Sequence, residues 1–206
     1  MSKNKKESFF WTSYSDLMTS LFFVMLVLFI LTVALMHNKH KATVKQLEKI
    51  TILNKSIEQI DTTYFVYDTA FKRHTLRNIQ VKFARGSSDI NDLPAADLSR
   101  LVEAGRAIQN FMRSAKEKIP DAEYLLIIEG QSSKDNYQGN DELSYQRALA
   151  LVKMWKQKGI KFNNLPCEVI VSGSGQNSKF REKPDIASNT RNQRFVIHII
   201  PKPGNF

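Results

Sequence analysis

Leu17 to Met36 reads LMTSLFFVMLVLFILTVALM, a run of 20 residues without a charge in which only Thr19, Ser20 and Thr32 are polar. As an α-helix, that length crosses a hydrocarbon core of roughly 30 Å. A secretory signal peptide is the competing reading. Its apolar region, however, runs to about 7–15 residues and ends at a small-residue cleavage site, whereas this run continues directly into HNKHKATVKQ. A retained membrane anchor is therefore expected, with a short basic tail before it and a larger polar region after it.

Orientation follows weakly from charge, because Lys3, Lys5 and Lys6 precede the run while Lys39, Lys41 and Lys45 follow it. A long folded domain is translocated largely whatever its charge, so a cytoplasmic N-terminus is permitted. The net charge of +10 suits nucleic acid, anionic lipid or a cell-wall polymer. No basic-aromatic module points to nucleic acid. Cys167 is the only cysteine and His37, His40, His74 and His198 are scattered, which leaves no disulfide framework or metal-ligand spacing. Ser, His and Asp are present without a nucleophile elbow, so neither an enzyme, a metal nor a cofactor is expected.

Residues 37 to about 62 are polar, with Val44, Leu47, Ile50, Leu53, Ile57 and Ile60 three or four apart, one apolar stripe on a helix. So narrow a stripe, on a segment with no core of its own, predicts pairing with a second copy as a homodimer. From Tyr64 the segments YFVY and IQVKF predict strands. Leu93-Pro94 opens a helix carrying Leu98, Leu101, Val102, Gly105, Ile108 and Phe111, closed by Pro120. The run AEYLLIIEG predicts a buried strand ending at Gly130. A polar loop follows, then a helix from about Asp141 to Lys158 ended by Gly159, then the strands EVIVSG and RFVIHII. The expected fold class is α/β: one N-terminal transmembrane helix, a helical linker, then an α/β sandwich with a mixed sheet and helices on one face. The expected segments are a cytoplasmic tail at 1–8, a transmembrane helix at 9–36, a linker or plug at 37–62 and an outer domain at 63–206.

Asp16 stands directly before the uncharged run, behind Phe9, Phe10, Trp11 and Tyr14. If the helix begins near Ser8, Asp16 lies roughly 12 Å along it. A carboxylate at mid-bilayer costs roughly 2.5–3.5 kcal/mol on insertion scales, and less nearer the interface. Desolvation raises its pKa toward the range where it can load and release a proton. The plainer reading is an interfacial carboxylate favoured by the N-terminal end of the helix dipole.

The stretch FWTSYSDLMT, Phe10 to Thr19, resembles the N-terminal signature of MotB-type stator subunits, S-Y-x-D-x-M-T, at Ser13, Tyr14, Asp16, Met18 and Thr19. That resemblance implies that Asp16 carries protons and faces a MotA-like multispan partner forming a ring around a dimer of this chain. It implies channel-supporting places for Tyr14, Thr19 and Ser20. The hydroxyls of Thr19 and Ser20 have two open roles, hydrogen bonding near the carboxylate or to the helix backbone, and helix–helix packing.

NDELSYQRA, Asn140 to Ala148, resembles the N-x-x-L-S-x-x-R-A signature of OmpA-like peptidoglycan-binding domains. IIEGQSS at 127–133 occupies the place of that family's strand and G-H-T-D turn. Ser172 to Gly175 resembles its small G-x-G stretch, and NQRFVIHI at 192–199 its closing strand. The resemblance implies a periplasmic domain whose Ser133, Asn140 and Arg147 take the wall-binding places. Arg147 matches the family's carboxylate-gripping arginine. The family's aspartate falls on Ser133, a neutral residue, which puts wall binding in doubt. Asp135 is two residues on, and reads as a solvated loop carboxylate unless the loop is rearranged. Asn140, Leu143 and Arg194 read as supports of the fold. The remaining roles for the domain are binding another wall form, binding after activation, and dimerisation.

Together these resemblances imply a proton-conducting stator subunit in a bacterial inner membrane, anchored outside by its C-terminal domain. Its compact linker is similar to that of the B subunit of Zorya-type anti-phage defence systems, with a flagellar stator as the alternative machine. The rival classes are a non-conducting peptidoglycan tether, which needs no multispan partner, and an ExbD-like energiser, which lacks the N-x-x-L-S-x-x-R-A signature.

Overall fold

A computed structural model describes residues 3–202 apart from 78, 80, 136, 180 and 188, with only the helical backbone given for 3–10. The chain divides into two compact units, Met1–Thr51 and Ile52–Phe206.

The first unit belongs to one helix, α1, Lys3–Glu58. It starts before the expected Ser8 and runs without a break through what the sequence divides into span and linker; Met1 and Ser2 lie outside the described residues. Among the described residues it is the one helix long and apolar enough, by length and composition, to cross a membrane. Its hydroxyls bond to its own main chain: Thr32 Oγ1 donates to the Leu28 carbonyl at 2.7 Å and Thr43 Oγ1 to that of Lys39 at 3.0 Å. That satisfies both hydroxyls within the helix itself.

The second unit is a mixed sheet with helices on one face. After the end of α1 come β1 (Phe65–Asp68), β2 (Arg73–Leu76), α2 (Ala95–Lys118), β3 (Tyr124–Gln131), α3 (Asn140–Gln157), β4 (Cys167–Gly173) and β5 (Arg194–Pro201), with short 3-10 turns at Ile90–Asp92 and Thr190–Asn192. The sheet order is β1-β2-β5-β3-β4. β3 and β4 are parallel, Tyr124 opposite Cys167 and Gly130 opposite Gly173. The other pairs are antiparallel, with Gln131 of β3 opposite Arg194 of β5.

Because strand side chains alternate, Tyr124, Leu126 and Ile128 share the helix-covered face with Phe195, Ile197 and Ile199. They are buried with Leu101, Ile108 and Met112 of α2 and Leu151 and Trp155 of α3. Trp155 Nε1 donates to the Leu101 carbonyl at 2.7 Å. Its indole fills the space beside Gly105, where an added Cβ would lie 2.6 Å from that nitrogen.

Two expectations need correcting, and one strand was not foreseen. IQVKF forms no strand among its described residues, Gln80 lying outside them, although Val81 and Phe83 are buried in the core. The apolar pattern reflects burial without a ladder partner, since β2 takes the place beside β5. The β1–β2 hairpin is not legible from the pattern YFVY alone. Its turn is set by Asp68 Oδ1, which accepts from Ala70 N and Phe71 N at 3.1 and 3.2 Å, with Lys72 at φ 49°.

The second correction concerns the apolar stripe. Leu53, Ile57 and Ile60 are 2–3% exposed and belong to the core of the second unit, Ile52–Phe206. Only Val44 and Leu47, both exposed, and the half-buried Ile50 remain outside that core. The main chain of this last turn is also held. His74 Nε2 donates to the Ile57 carbonyl at 3.1 Å from a site packed between Phe65 and Tyr67.

Ile57→Ala is therefore expected to destabilise the outer domain by about 2–5 kcal/mol through a core cavity, while the exposed Leu47→Ala changes it by less than about 0.5 kcal/mol. Thermal unfolding followed by near-UV circular dichroism distinguishes them. Burial also pushes the pKa of His74 down from 6.5 to about 4, against the raising effect of its bond to Ile57 and with a smaller lowering effect from His198. Since folding disfavours the charged ring, His74 contributes its full stability above pH 6.5 and loses it as pH falls from 6.5 toward about 4. A pH series of denaturation midpoints should slope downward through that interval, and more weakly in His74→Gln, which keeps a donor for Ile57.

Candidate functional site

Two sets of residues carry chemistry, one on each unit. On α1, Asp16 is exposed, and Thr19 and Ser20 lie one turn further along the same helix face. Their hydroxyls do not turn to the carboxylate: Thr19 Oγ1 donates to the Ser15 carbonyl at 2.7 Å and Ser20 Oγ to that of Leu17 at 2.9 Å. Of their open roles, the structure thus shows the bond to the helix backbone. Tyr14 precedes Asp16 by two residues, about 200° around the helix. Its ring stands edge-on to Trp11 with centroids 6.3 Å apart. The helix therefore groups Asp16 with Thr19 and Ser20, and sets Tyr14 on another side.

On the second unit, α3 presents Asn140, Ser144, Arg147 and Ala148 on one buried face. The positions i, i+4, i+7 and i+8 fall together on a helix. Arg147 is 3% exposed. Its Nε donates to the Ser87 carbonyl at 2.9 Å and its guanidinium lies 4.5 Å from the centre of the Phe83 ring. Burial lowers its pKa to about 10, opposed by the nearby charge of Asp135, so it stays a cation at neutral pH.

Asn140 Nδ2 donates to Asp135 Oδ1 at 2.6 Å, and Tyr137 N donates to the same oxygen at 3.0 Å. These two bonds fix an exposed carboxylate close enough to Arg147 to feel its charge. Ser133 lies elsewhere: it is 5% exposed, and its hydroxyl accepts from Gln193 Nε2 at 2.7 Å. The structure thus brings Asn140, Asp135 and Arg147 together, while Ser133 faces the β5 side of the fold. Asp135 is open to solvent, whereas Arg147 lies beneath Phe83 and Ser87. Sequence reading passed over the orientation of Asp135, whose signal was Asn140 five residues on, and over Phe83 beneath Arg147.

A second polar cluster was not foreseen. Glu129 points away from the helices and accepts from His198 Nε2 at 2.9 Å, Gln131 Nε2 at 3.0 Å and Ser174 Oγ at 2.5 Å. Burial alone would raise its pKa, but these three bonds outweigh that and hold it near about 2. Arg194 extends the cluster, its Nε donating to Gln131 Oε1 at 3.0 Å and its Nη1 to Glu182 Oε1 at 2.7 Å. Asn192, fully buried, holds the same loop: its Oδ1 accepts from Glu182 N at 2.8 Å and its Nδ2 donates to the Glu182 carbonyl at 3.1 Å. The cluster braces the β4–β5 loop, the structural part expected of Arg194.

No protein-family profile matches the chain, and no curated protein sequence matches it. Among solved structures it is similar to a protein described as MotB-like from Desulfovibrio vulgaris, at 16% identity over 78% of this chain and 98% of that one, TM-score 0.48. It is also similar to the periplasmic domain of Helicobacter pylori MotB, at 16% identity over 67% of this chain and 86% of that one, TM-score 0.41. A third is the OmpA-like domain of FopA1 from Francisella tularensis, at 21% identity over 66% and 79%, TM-score 0.42.

Proposed function

We propose that this chain is the single-span subunit of an ion-driven membrane motor. In this reading α1 crosses the bacterial inner membrane with its N-terminus in the cytoplasm. Asp16 loads and releases protons against a MotA-like multispan ring that surrounds two copies of the chain. The outer domain lies in the periplasm and holds the assembly to peptidoglycan. The machine served is an anti-phage defence complex of the Zorya type, on the strength of the compact linker, rather than a flagellar motor.

The observation that carries the proposal is Asp16 itself: one carboxylate at the start of an uncharged helical run of 20 residues, within a stretch resembling the stator signature. A charge moved across the membrane potential is worth about 2.3 kcal/mol per 100 mV, enough to drive a coupled conformational step. The hydroxyls one turn on are satisfied by the backbone, which leaves the carboxylate of that face for the partner. Wall binding draws on Asp135, oriented by Asn140 and Tyr137 beside Arg147. An exposed anion next to a cation suits a group with both an ammonium and a carboxylate.

Two experiments test these parts separately. Asp16→Asn, co-expressed with the neighbouring multispan protein, is expected to co-purify with it while abolishing phage protection or motility; retained activity would rule out proton carriage by Asp16. For the wall, Asp135→Asn is expected to weaken sedimentation with purified peptidoglycan by about tenfold or more, since it removes a charge-assisted contact. Unchanged sedimentation would leave the outer domain a role other than this contact.

A further inference from the structure

We infer that two copies of this chain join at the free edge of β4, strand to strand, so that their sheets run on as one; the inference rests on the reading of two copies in the assembly and names the surface they share. β4 ends the sheet order, with β3 on one side of it. Tyr124 N donates to the Pro166 carbonyl at 2.9 Å and Ser174 N to the Gly130 carbonyl at 3.1 Å. With the parallel register between them, those two bonds fix the phase of the ladder. Glu168, Ile170 and Ser172 spend their main-chain groups on β3, and Val169, Val171 and Gly173 turn theirs outward. Among the described residues nothing meets those outward groups.

Edges that stay single are guarded by charge, proline or shortness. Val169 to Gly173 carries no charge and no proline. The other edge strand, β1, has four residues, and its Asp68 is paired with Arg73 at 3.3 Å. A β1-to-β4 junction is head-to-tail and propagates, whereas β4 against its own copy closes on a two-fold axis.

The sequence of β4 suits one antiparallel register. Outward groups must face outward groups, and the seven residues of the strand are used in full when Ile170 lies on the axis. Val169 then bonds the second copy's Val171, and Gly173 faces Cys167, whose own amide is taken by the Leu165 carbonyl at 2.7 Å. About six hydrogen bonds result. On the open face Ile170, 37% exposed, meets its twin, and Glu168 faces Ser172. Moving the axis to Glu168 would set two carboxylates opposite each other, which is unfavourable. The helices agree with this arrangement. Tyr145, Leu149 and Val152, exposed or half-buried, lie on the flank of α3 away from Ala150 and Met154, which face α2 across a groove. The axis sets α3 antiparallel to its copy, turning an acidic first turn, Asp141 and Glu142, toward a last turn that carries Lys156.

The test uses the full chain in membranes with Cys167→Ser as background. Residues at a non-bonded antiparallel position stand about 4.5 Å apart between Cα atoms, within disulfide reach. Ile170→Cys is therefore expected to form a disulfide-linked dimer with copper–phenanthroline, at least about tenfold more than Val66→Cys on the other edge. Adding Val171→Pro, which removes an outward amide and no bond to β3, should cut that yield about tenfold in protein whose near-UV circular dichroism is unchanged. Equal yields at 170 and 66, or an undiminished yield with the proline, overturn the inference. So does a disulfide from 170 to a chain of another mass, which marks a different strand on this edge. Two differently tagged copies that co-purify without the 170 disulfide overturn this contact and leave the two-copy reading standing; copies that do not co-purify remove both.

Discussion

No side chain can stand at Gly130 or Gly173, because α3 comes down onto the ends of β3 and β4 there. A Cβ on Gly130 would strike the Ser144 carbonyl, and one on Gly173 would meet the Tyr145 amide. Ser144 completes the seating, its Oγ accepting from Gly175 N at 2.9 Å and donating to the Asp141 carbonyl at 2.7 Å. Once the helix is held at that depth, the remaining positions are fixed by its pitch. Asn140 meets the loop after β3, and Arg147 is driven between Ser87 and Phe83. Most of the N-x-x-L-S-x-x-R-A signature is therefore a packing face, and the chemistry of the loop is a by-product of where that face places two polar side chains.

This explains what the sequence could and could not show. α3, β3, β4 and β5 were legible because their patterns are long and are closed by Gly130, Gly159 and the polar loops. The helix-covered face of the sheet follows from simple alternation along β3. IQVKF carried the same strand-like composition, yet Val81 and Phe83 are buried in irregular chain, because composition reports burial and leaves the ladder partner open. β2 was missed for the converse reason: RHTL looks polar, yet His74 is 1% exposed, its neutral ring bonded to the end of α1. The side chain of Ser133 could not be aimed from the sequence without knowing that Gln193 would claim it.

Polar groups on both units obey the same rule under different solvents. In α1 the hydroxyls of Thr19, Ser20 and Thr32 each return to a main-chain carbonyl three or four residues back. In the outer domain Glu129 is buried at 9% exposure and is held ionised by three donors. An ionised carboxylate survives burial when its lone pairs are met. Asp16 is instead exposed, and the hydroxyls of Thr19 and Ser20 one turn on are spent on the backbone. A carboxylate placed in hydrocarbon needs either a proton or a partner.

The fate of the apolar stripe bears on how two copies could associate. Read as a sequence, it covered Val44 to Ile60 and was long enough to suggest a helical pair. The domain core claims Leu53, Ile57 and Ile60, which leaves Val44, Leu47 and Ile50 on about two turns. Coiled-coil pairing needs a seam sustained over about three to four heptads, and so short a seam falls well below that. Any pairing of two copies would need surface beyond this stripe.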